Sequence, residues 1–133
     1  MLKIKTAVLS VSDKTGLVEL GRLLKKYGVN IISTGGTAKL LKENGIEVTP
    51  ISRITGNTKD DYFDGRMKTI SFNYESALLY KRDNPEHVKQ AQELGIPQID
   101  IVVCNLYPFE DVIAQADVSI DTAIDNIDIG GPC

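Results

Sequence analysis

Short β-branched runs alternate along the chain with longer stretches in which apolar residues recur every three or four positions. This alternation predicts strand-helix-strand units around a parallel sheet. The first strand is "TAVLSV", Thr6 to Val11. The first helix spans Thr15 to Tyr27, with Leu17, Leu20, Leu23 and Leu24 on one face and Gly28 as its stop. "VNIIST" gives the second strand, Thr37 to Asn44 the second helix with Gly45 behind it, and "IEVTPI" the third strand. From Ser52 to Asp83 the pattern weakens among glycines and charges, so this stretch reads as a long excursion holding one short strand or helical turn around "SALLY". Loops of that length in a compact domain usually carry function. Order returns in "PEHVKQAQELG", a helix with Pro85 at its first position. The unbroken apolar run "IDIVVCN", Ile99 to Asn105, then predicts a strand buried on both faces. "NLYPFEDVIAQ" leads away from that strand, and "SIDTAIDNIDIGGPC" reads as a capped helix closed by a glycine turn.

Length and composition narrow the picture without changing it. The 133 residues suit one domain, large enough to bury about two thirds of the unfolded chain's surface. A net charge of −3 points to neither a nucleic-acid surface nor a membrane-binding face, so an anionic ligand must be held by local groups. The opening "MLKIKTAVLSVSDKTG" is too soon interrupted by polar residues for a signal peptide, and no apolar run approaches transmembrane length, so a cytoplasmic protein is expected. Two cysteines, Cys104 and Cys133, do not make a disulfide framework, and the single histidine, His87, leaves no cluster with metal-ligand spacing.

In an open parallel sheet, ligands sit beyond the carboxyl ends of the strands, where helix N-termini aim backbone N–H groups and partial positive charge. "STGGT" lies at such an end. Gly35 and Gly36 allow an anion to approach the main chain, and Ser33, Thr34 and Thr37 supply hydroxyls, so the loop has the parts of a phosphate cradle as well as those of a plain capped turn. The first strand ends in "SVSDKTG", which brings Ser10, Ser12 and Lys14 to the same place, Lys14 adding a full charge. The plainer alternative is that Ser12 and Asp13 cap the helix and Lys14 is solvated. "DGRMKT" sets Arg66 and Lys68 beside a flexible glycine: an arginine fork can hold a carbonyl or phosphate, and a lysine can stabilise developing oxyanion charge. "NLYPF" adds Asn105, whose amide can read a polar ligand, and Tyr107, whose phenol can relay a proton; "IDIGG" sets Asp128 before a Gly-Gly turn.

"SVSDKTG", "IISTGGTAKLL", "DGRMKT", "VVCNLYPFE" and "IDNIDIGGP", in this order and spacing, resemble the IMP cyclohydrolase domain of the bifunctional purine-biosynthesis enzyme that also carries AICAR formyltransferase. "STGGTAKLL" is shared with methylglyoxal synthase and the regulatory domain of carbamoyl-phosphate synthetase, whereas "NLYPF" followed by "IDIGG" is particular to the cyclohydrolase. The resemblance implies an α/β, three-layer Rossmann-like domain with a mostly parallel sheet, methylglyoxal-synthase-like, filling residues 1–133 and cut short at its C-terminal end. It implies dehydrative closure of the formylated carboxamide ribonucleotide (FAICAR) to IMP with no cofactor or metal. Lys68 then resembles the oxyanion-stabilising lysine, and Tyr107 and Asp128 the groups that handle the carboxamide proton. Ser12, Lys14, Ser33, Thr34, Gly35, Gly36 and Thr37 resemble the 5′-phosphate site, beside Ser10, with Arg66, Thr69 and Asn105 near base and ribose. A homodimer and a fused formyltransferase domain beyond residue 133 are implied as partners, with no nucleic acid and no membrane.

Two features depart from that family. After Lys68-Thr69 it usually continues with histidines and small residues, where this chain reads "ISFNYESALLYKRD". It also carries a second catalytic lysine on a helix beyond "IDIGGP", which this sequence does not reach. Two other readings therefore stand beside the cyclohydrolase: a purine-nucleotide phosphate-binding module without turnover, and a methylglyoxal-synthase-like enzyme, which would need a histidine and a carboxylate placed for triose phosphate.

Overall fold

A computed structural model of the chain describes residues 3–58 and 62–131. Four strands, β1 (Thr6–Val11), β2 (Asn30–Ser33), β3 (Thr49–Pro50) and β4 (Ile101–Asn105), pair in the order β3-β2-β1-β4, every pair parallel. Side chains alternate across β1. Ala7 and Leu9 join Ile31 in a buried cluster with Leu17 and Leu24 of α1 (Leu17–Lys26) and Ala38 and Leu41 of α2 (Gly35–Glu43). Val8 and Ile32 point the other way, into a second cluster with Ile54 of α3 (Ser52–Thr55), Tyr74 and Ala77 of α4 (Phe72–Leu79) and Ala91 of α5 (Pro85–Glu93). The sheet thus lies between two helical layers, the three-layer α/β architecture that the alternation of periods implies. Two short helices, α6 (Phe109–Ile113) and α7 (Ile120–Asp125), follow β4.

Where the fold departs from the expected elements, the cause is local. Leu23 lies off the buried stripe of α1 and is 51% exposed; Gly21 takes the inward position instead, where a methyl group would come within 2.8 Å of Leu41 Cδ2 and 3.0 Å of Ile46 Cδ1. The expected strand over "IEVTPI" shrinks to Thr49–Pro50 at the sheet edge, because Pro50 has no N–H for a further ladder bond and the chain turns at once into α3. The excursion is more ordered than its composition suggests. Ser71 caps α4 by accepting a hydrogen bond from the Tyr74 amide, and Tyr74 and Ala77 bury against the sheet. Burial, with the Glu75 charge adding to it, pushes the Tyr74 phenol up to about 12, so this tyrosine stays neutral in the core.

The strand expected to be buried on both faces is not. β4 is the outer strand of the sheet, Val102 on it is 45% exposed, and neither α6 nor α7 buries a single residue. Its apolar run reads as central because hydropathy cannot say on which side of β1 the sheet continues. The caps at the ends follow expectation: Pro85 opens α5 behind an Asn84 cap that accepts from the Glu86 and His87 amides, and Ser119 caps α7 by accepting from the Thr122 amide. Cys104 is exposed, and Cys133 lies outside the described residues.

Candidate active site

Parallel pairing brings the carboxyl ends of β1, β2 and β4 to one edge, and a cavity of about 580 Å³ opens there. Every residue that the sequence assigned to a substrate or catalytic role lines it except Ser33. The β1 end supplies Ser10, Ser12 and Lys14, the β2 end Thr34, Gly35, Gly36 and Thr37, and the β4 end Asn105 and Tyr107. Arg66, Lys68 and Thr69 reach it from the excursion, and Asp128 from the segment after α7.

The hydrogen bonds separate the groups that build the site from those left to meet a ligand. Ser33 is buried below the loop, and its hydroxyl donates to the Leu9 carbonyl at 2.6 Å; it joins β2 to β1 and is not a ligand-facing hydroxyl. Thr37 is likewise engaged, its Oγ1 donating to the Val11 carbonyl and accepting from the Val11 amide, both at 3.1 Å. Asn105, expected to read a polar ligand, has its amide committed largely to the scaffold. Oδ1 accepts from the Ser12 and Asp13 amides at 2.6 and 2.9 Å, and Nδ2 donates to the Asp13 carbonyl at 2.8 Å, pinning the loop before α1 to the end of β4. These side chains share a position beside the end of β1 and the loop that follows it, whose main-chain groups they bond. Asp13 turns away from the cavity, accepting from the Thr15 hydroxyl and amide at 2.7 and 2.9 Å. These bonds hold its carboxyl below the usual range.

What remains is concentrated on the glycine turn. α2 begins at Gly35, earlier than the expected Thr37, so both glycines fall in its first turn and their amides head the helix. Thr34 Oγ1 is buried there without a hydrogen-bond partner among the described residues. Lys14 is half-buried and engaged. Its Nζ donates to the Val11 and Ser12 carbonyls at 3.2 and 3.0 Å, and lies 3.7 Å from where a methyl group on Gly36 would sit. Lys68 also reaches the turn, its Nζ 3.7 Å from the corresponding position on Gly35. The segment that delivers Lys68 runs through three left-handed residues, Phe63 (φ 53°), Asp64 (φ 56°) and Gly65 (φ 83°). For Phe63 this is a strained backbone held beside the site.

The far wall is built by Asp128, whose Oδ1 accepts from the Gly131 amide at 2.7 Å while Oδ2 reaches the Tyr107 amide at 3.4 Å. A methyl group on Gly131 would meet Asp128 Oδ2 at 2.7 Å, so the second glycine of the turn is what lets the carboxylate fold under it. Arg66 forms an exposed ion pair with Asp125, tying the excursion to α7. Asp125, Ile127 and Ile129 also line the cavity, and sequence reasoning passed over them. The only available signal was the pair of isoleucines flanking Asp128 in an otherwise polar, glycine-rich end. His87 is elsewhere: its Nδ1 accepts from the Lys81 amide at 3.1 Å, and it lines a separate groove between α4 and α5. Among the described residues no helix is long and apolar enough to cross a membrane, and no three His, Cys, Asp or Glu side chains converge as metal ligands.

Residues 16–133 match the profile of the MGS-like domain. The chain belongs to the MGS-like domain family. This MGS-like domain is 55% identical, over 128 residues, to the bifunctional purine biosynthesis protein PurH of Bacillus cereus (strain B4264), covering 96% of this chain and 25% of that one. It is also 55% identical over 129 residues to PurH of Pelodictyon phaeoclathratiforme, covering 97% and 24%. The domain therefore spans about a quarter of the length of the curated relatives it matches. Among solved structures, that of ForH superposes with a TM-score of 0.78 at 32% identity, over 97% of this chain and 64% of that one. The kinship read from the five motifs and the kinship found by comparison agree.

Proposed function

We propose that this MGS-like domain is an IMP cyclohydrolase that closes the second ring of the purine by dehydration of FAICAR. The observation that carries the reading is the convergence of Lys14 and Lys68 on the Gly35–Gly36 turn in the same cavity that Tyr107 and Asp128 line. The first part suits a 5′-phosphate, the second a proton-transferring reaction elsewhere in the same cavity. In the reaction the carboxamide nitrogen attacks the formyl carbon, a C–N bond forms and that nitrogen gives up one proton; the C–O bond then breaks and the formyl oxygen leaves as water, its second hydrogen coming from the formamido nitrogen as that nitrogen becomes doubly bonded to the same carbon. All reacting atoms belong to one molecule, so orientation, proton transfer and charge stabilisation suffice, and no cofactor or metal is called for. Lys68 neutralises the oxygen as it gains charge. Asp128 and Tyr107 receive and return the proton, Asp128 also fixing the turn that presents Tyr107.

Kinship with proteins named bifunctional supports a wider proposal: a formyltransferase activity in the remaining length of the gene product, a dimeric assembly and a cytoplasmic setting. The exposed Val102, Ile113, Ile120 and Ile124 on β4, α6 and α7 are consistent with further protein packing there. A methylglyoxal-synthase reaction is disfavoured because His87 lies away from the cavity. Calorimetry tests the phosphate half of the reading. IMP should bind at least about tenfold more tightly than inosine, and Lys14→Ala should remove most of that difference. Equal affinities for IMP and inosine in the parent protein would overturn it.

A further inference from the structure

Asp125, at the end of α7, lines the cavity but has no part in the ring closure described above. Its Oδ1 accepts from Arg66 Nη2, and among the described residues this is the only hydrogen bond between residues 62–69 and the chain beyond β4. The bonded pair stands just ahead of two groups that face the cavity: Arg66 two positions before Lys68, and Asp125 three before Asp128. Residues 62–69 have little else to hold them. Phe63 and Asp64 take left-handed backbones that cost free energy and persist only where the surroundings impose them, yet the Phe63 side chain is 75% exposed and belongs to neither buried cluster. Asn57 Nδ2 donates to the Met67 carbonyl at 2.8 Å, which ties the loop to the chain leaving α3; Arg66 ties it to α7. Thr69 meets the same far segment, its Oγ1 3.1 Å from where a methyl group on Gly130 would sit.

We infer that Asp125 is a positioning residue: through Arg66 it clasps residues 62–69 to the segment that carries Asp128, and so keeps the cavity in the shape that takes the nucleotide. The inference rests on the proposed function, which supplies the ligand. Without the carboxylate the loop spends much of its time unclasped, and a ligand that needs the clasped form binds more weakly in proportion to the fraction that remains. Bound substrate restores that form, so the loss falls on KM and on the affinity for IMP while kcat is kept. Charge alone predicts the opposite sign. Removing a carboxylate from the wall of a site for an anionic nucleotide should tighten binding, so weaker binding reports position and not net charge.

Calorimetry with IMP on the full gene product tests the clasp. Asp125→Ala should weaken IMP binding by about tenfold, the effect of leaving about a tenth of the molecules clasped, and Asp125→Glu, which keeps the carboxylate, should restore most of the affinity. In an Arg66→Ala background, Asp125→Ala should cause no further loss. Hydrogen exchange reads the loop directly. The Gly65 and Arg66 amides, bonded to the Tyr62 and Phe63 carbonyls at 3.1 Å, should exchange faster in Asp125→Ala, and saturating IMP should slow them again. Thermal melts should match the parent, since both side chains of the ion pair are exposed. Unchanged or tighter IMP binding in Asp125→Ala overturns the inference, and so does unchanged exchange in the loop. A loss that adds in full to that of Arg66→Ala also overturns it, because Asp125 then acts on the ligand by itself. A parent that does not bind IMP overturns the proposed function, and the inference falls with it.

Discussion

Replacing Lys68 with alanine in the full gene product should lower the rate of ring closure by about 10²–10³-fold, the loss typical of removing one preorganised group that stabilises a developing oxyanion. The side chain lines the cavity, its Nζ 3.7 Å from where a methyl group on Gly35 would sit, so its charge lies at the site before the reaction begins. Nucleotide affinity should change less, because the charge that Lys68 meets develops only during the reaction, so the loss should fall mainly on kcat. A residue that only shaped the loop would give a variant whose remaining activity recovered fully at saturating substrate. Formation of IMP changes ultraviolet absorbance, and the initial rate after subtraction of the uncatalysed reaction gives the answer. Unchanged turnover in Lys68→Ala would take this lysine out of the mechanism.

The second large effect is on stability and centres on Asp100, far from the cavity. Its side chain is 1% exposed and accepts four hydrogen bonds: from the Lys5 and Thr6 amides at 2.8 and 3.0 Å, from Arg82 Nη1 at 2.8 Å, and from Gln98 Nε2 at 3.2 Å. It thereby ties the starts of β1 and β4 together beneath the active-site edge. Asp100→Ala leaves these donors without their acceptor and should cost about 3 kcal/mol in urea unfolding at pH 7. Burial pushes the Asp100 carboxyl up, but the two amides and the Arg82 guanidinium outweigh it and hold the group below the usual carboxylate range. A carboxyl depressed in the folded state contributes fully above the unfolded value of about 3.9. That contribution is lost as the pH falls below this value and through the folded one. The stability gap between parent and variant should therefore be constant from pH 7 to about 5 and close in more acidic solution. A gap that widened on acidification would show that the ionised form is not the stabilising one.

The strands at the centre of the sheet were legible in the sequence because burial on both faces leaves an unmistakable apolar run, as in "TAVLSV" and "VNIIST". β4 has the same character, yet stands at the edge with one flank open, since a run of apolar residues records what a strand can be buried against and not what pairs with it. The site was legible at the level of which residues meet. Glycines, hydroxyls and cations at strand ends have few other reasons to cluster, and the parallel sheet carries them to one edge. Their division of labour was not legible. Ser33 and Thr37 carry the same hydroxyl as Ser12 and Thr34, and the Asn105 amide could equally have met a ligand; only the main-chain groups of Leu9, Val11 and Asp13 that lie beside them decide that they hold the scaffold together. Likewise, "DGRMKT" names two cations, but the direction Lys68 takes depends on three successive left-handed residues that composition does not reveal.

The central claim is that the cavity at the ends of β1, β2 and β4 closes a purine ring. The full gene product, mixed with FAICAR under single-turnover conditions, should form IMP far faster than the uncatalysed reaction, without added metal or cofactor. Binding of the nucleotide with ring closure at the uncatalysed rate would contradict the claim and leave a phosphate-binding domain that does no chemistry.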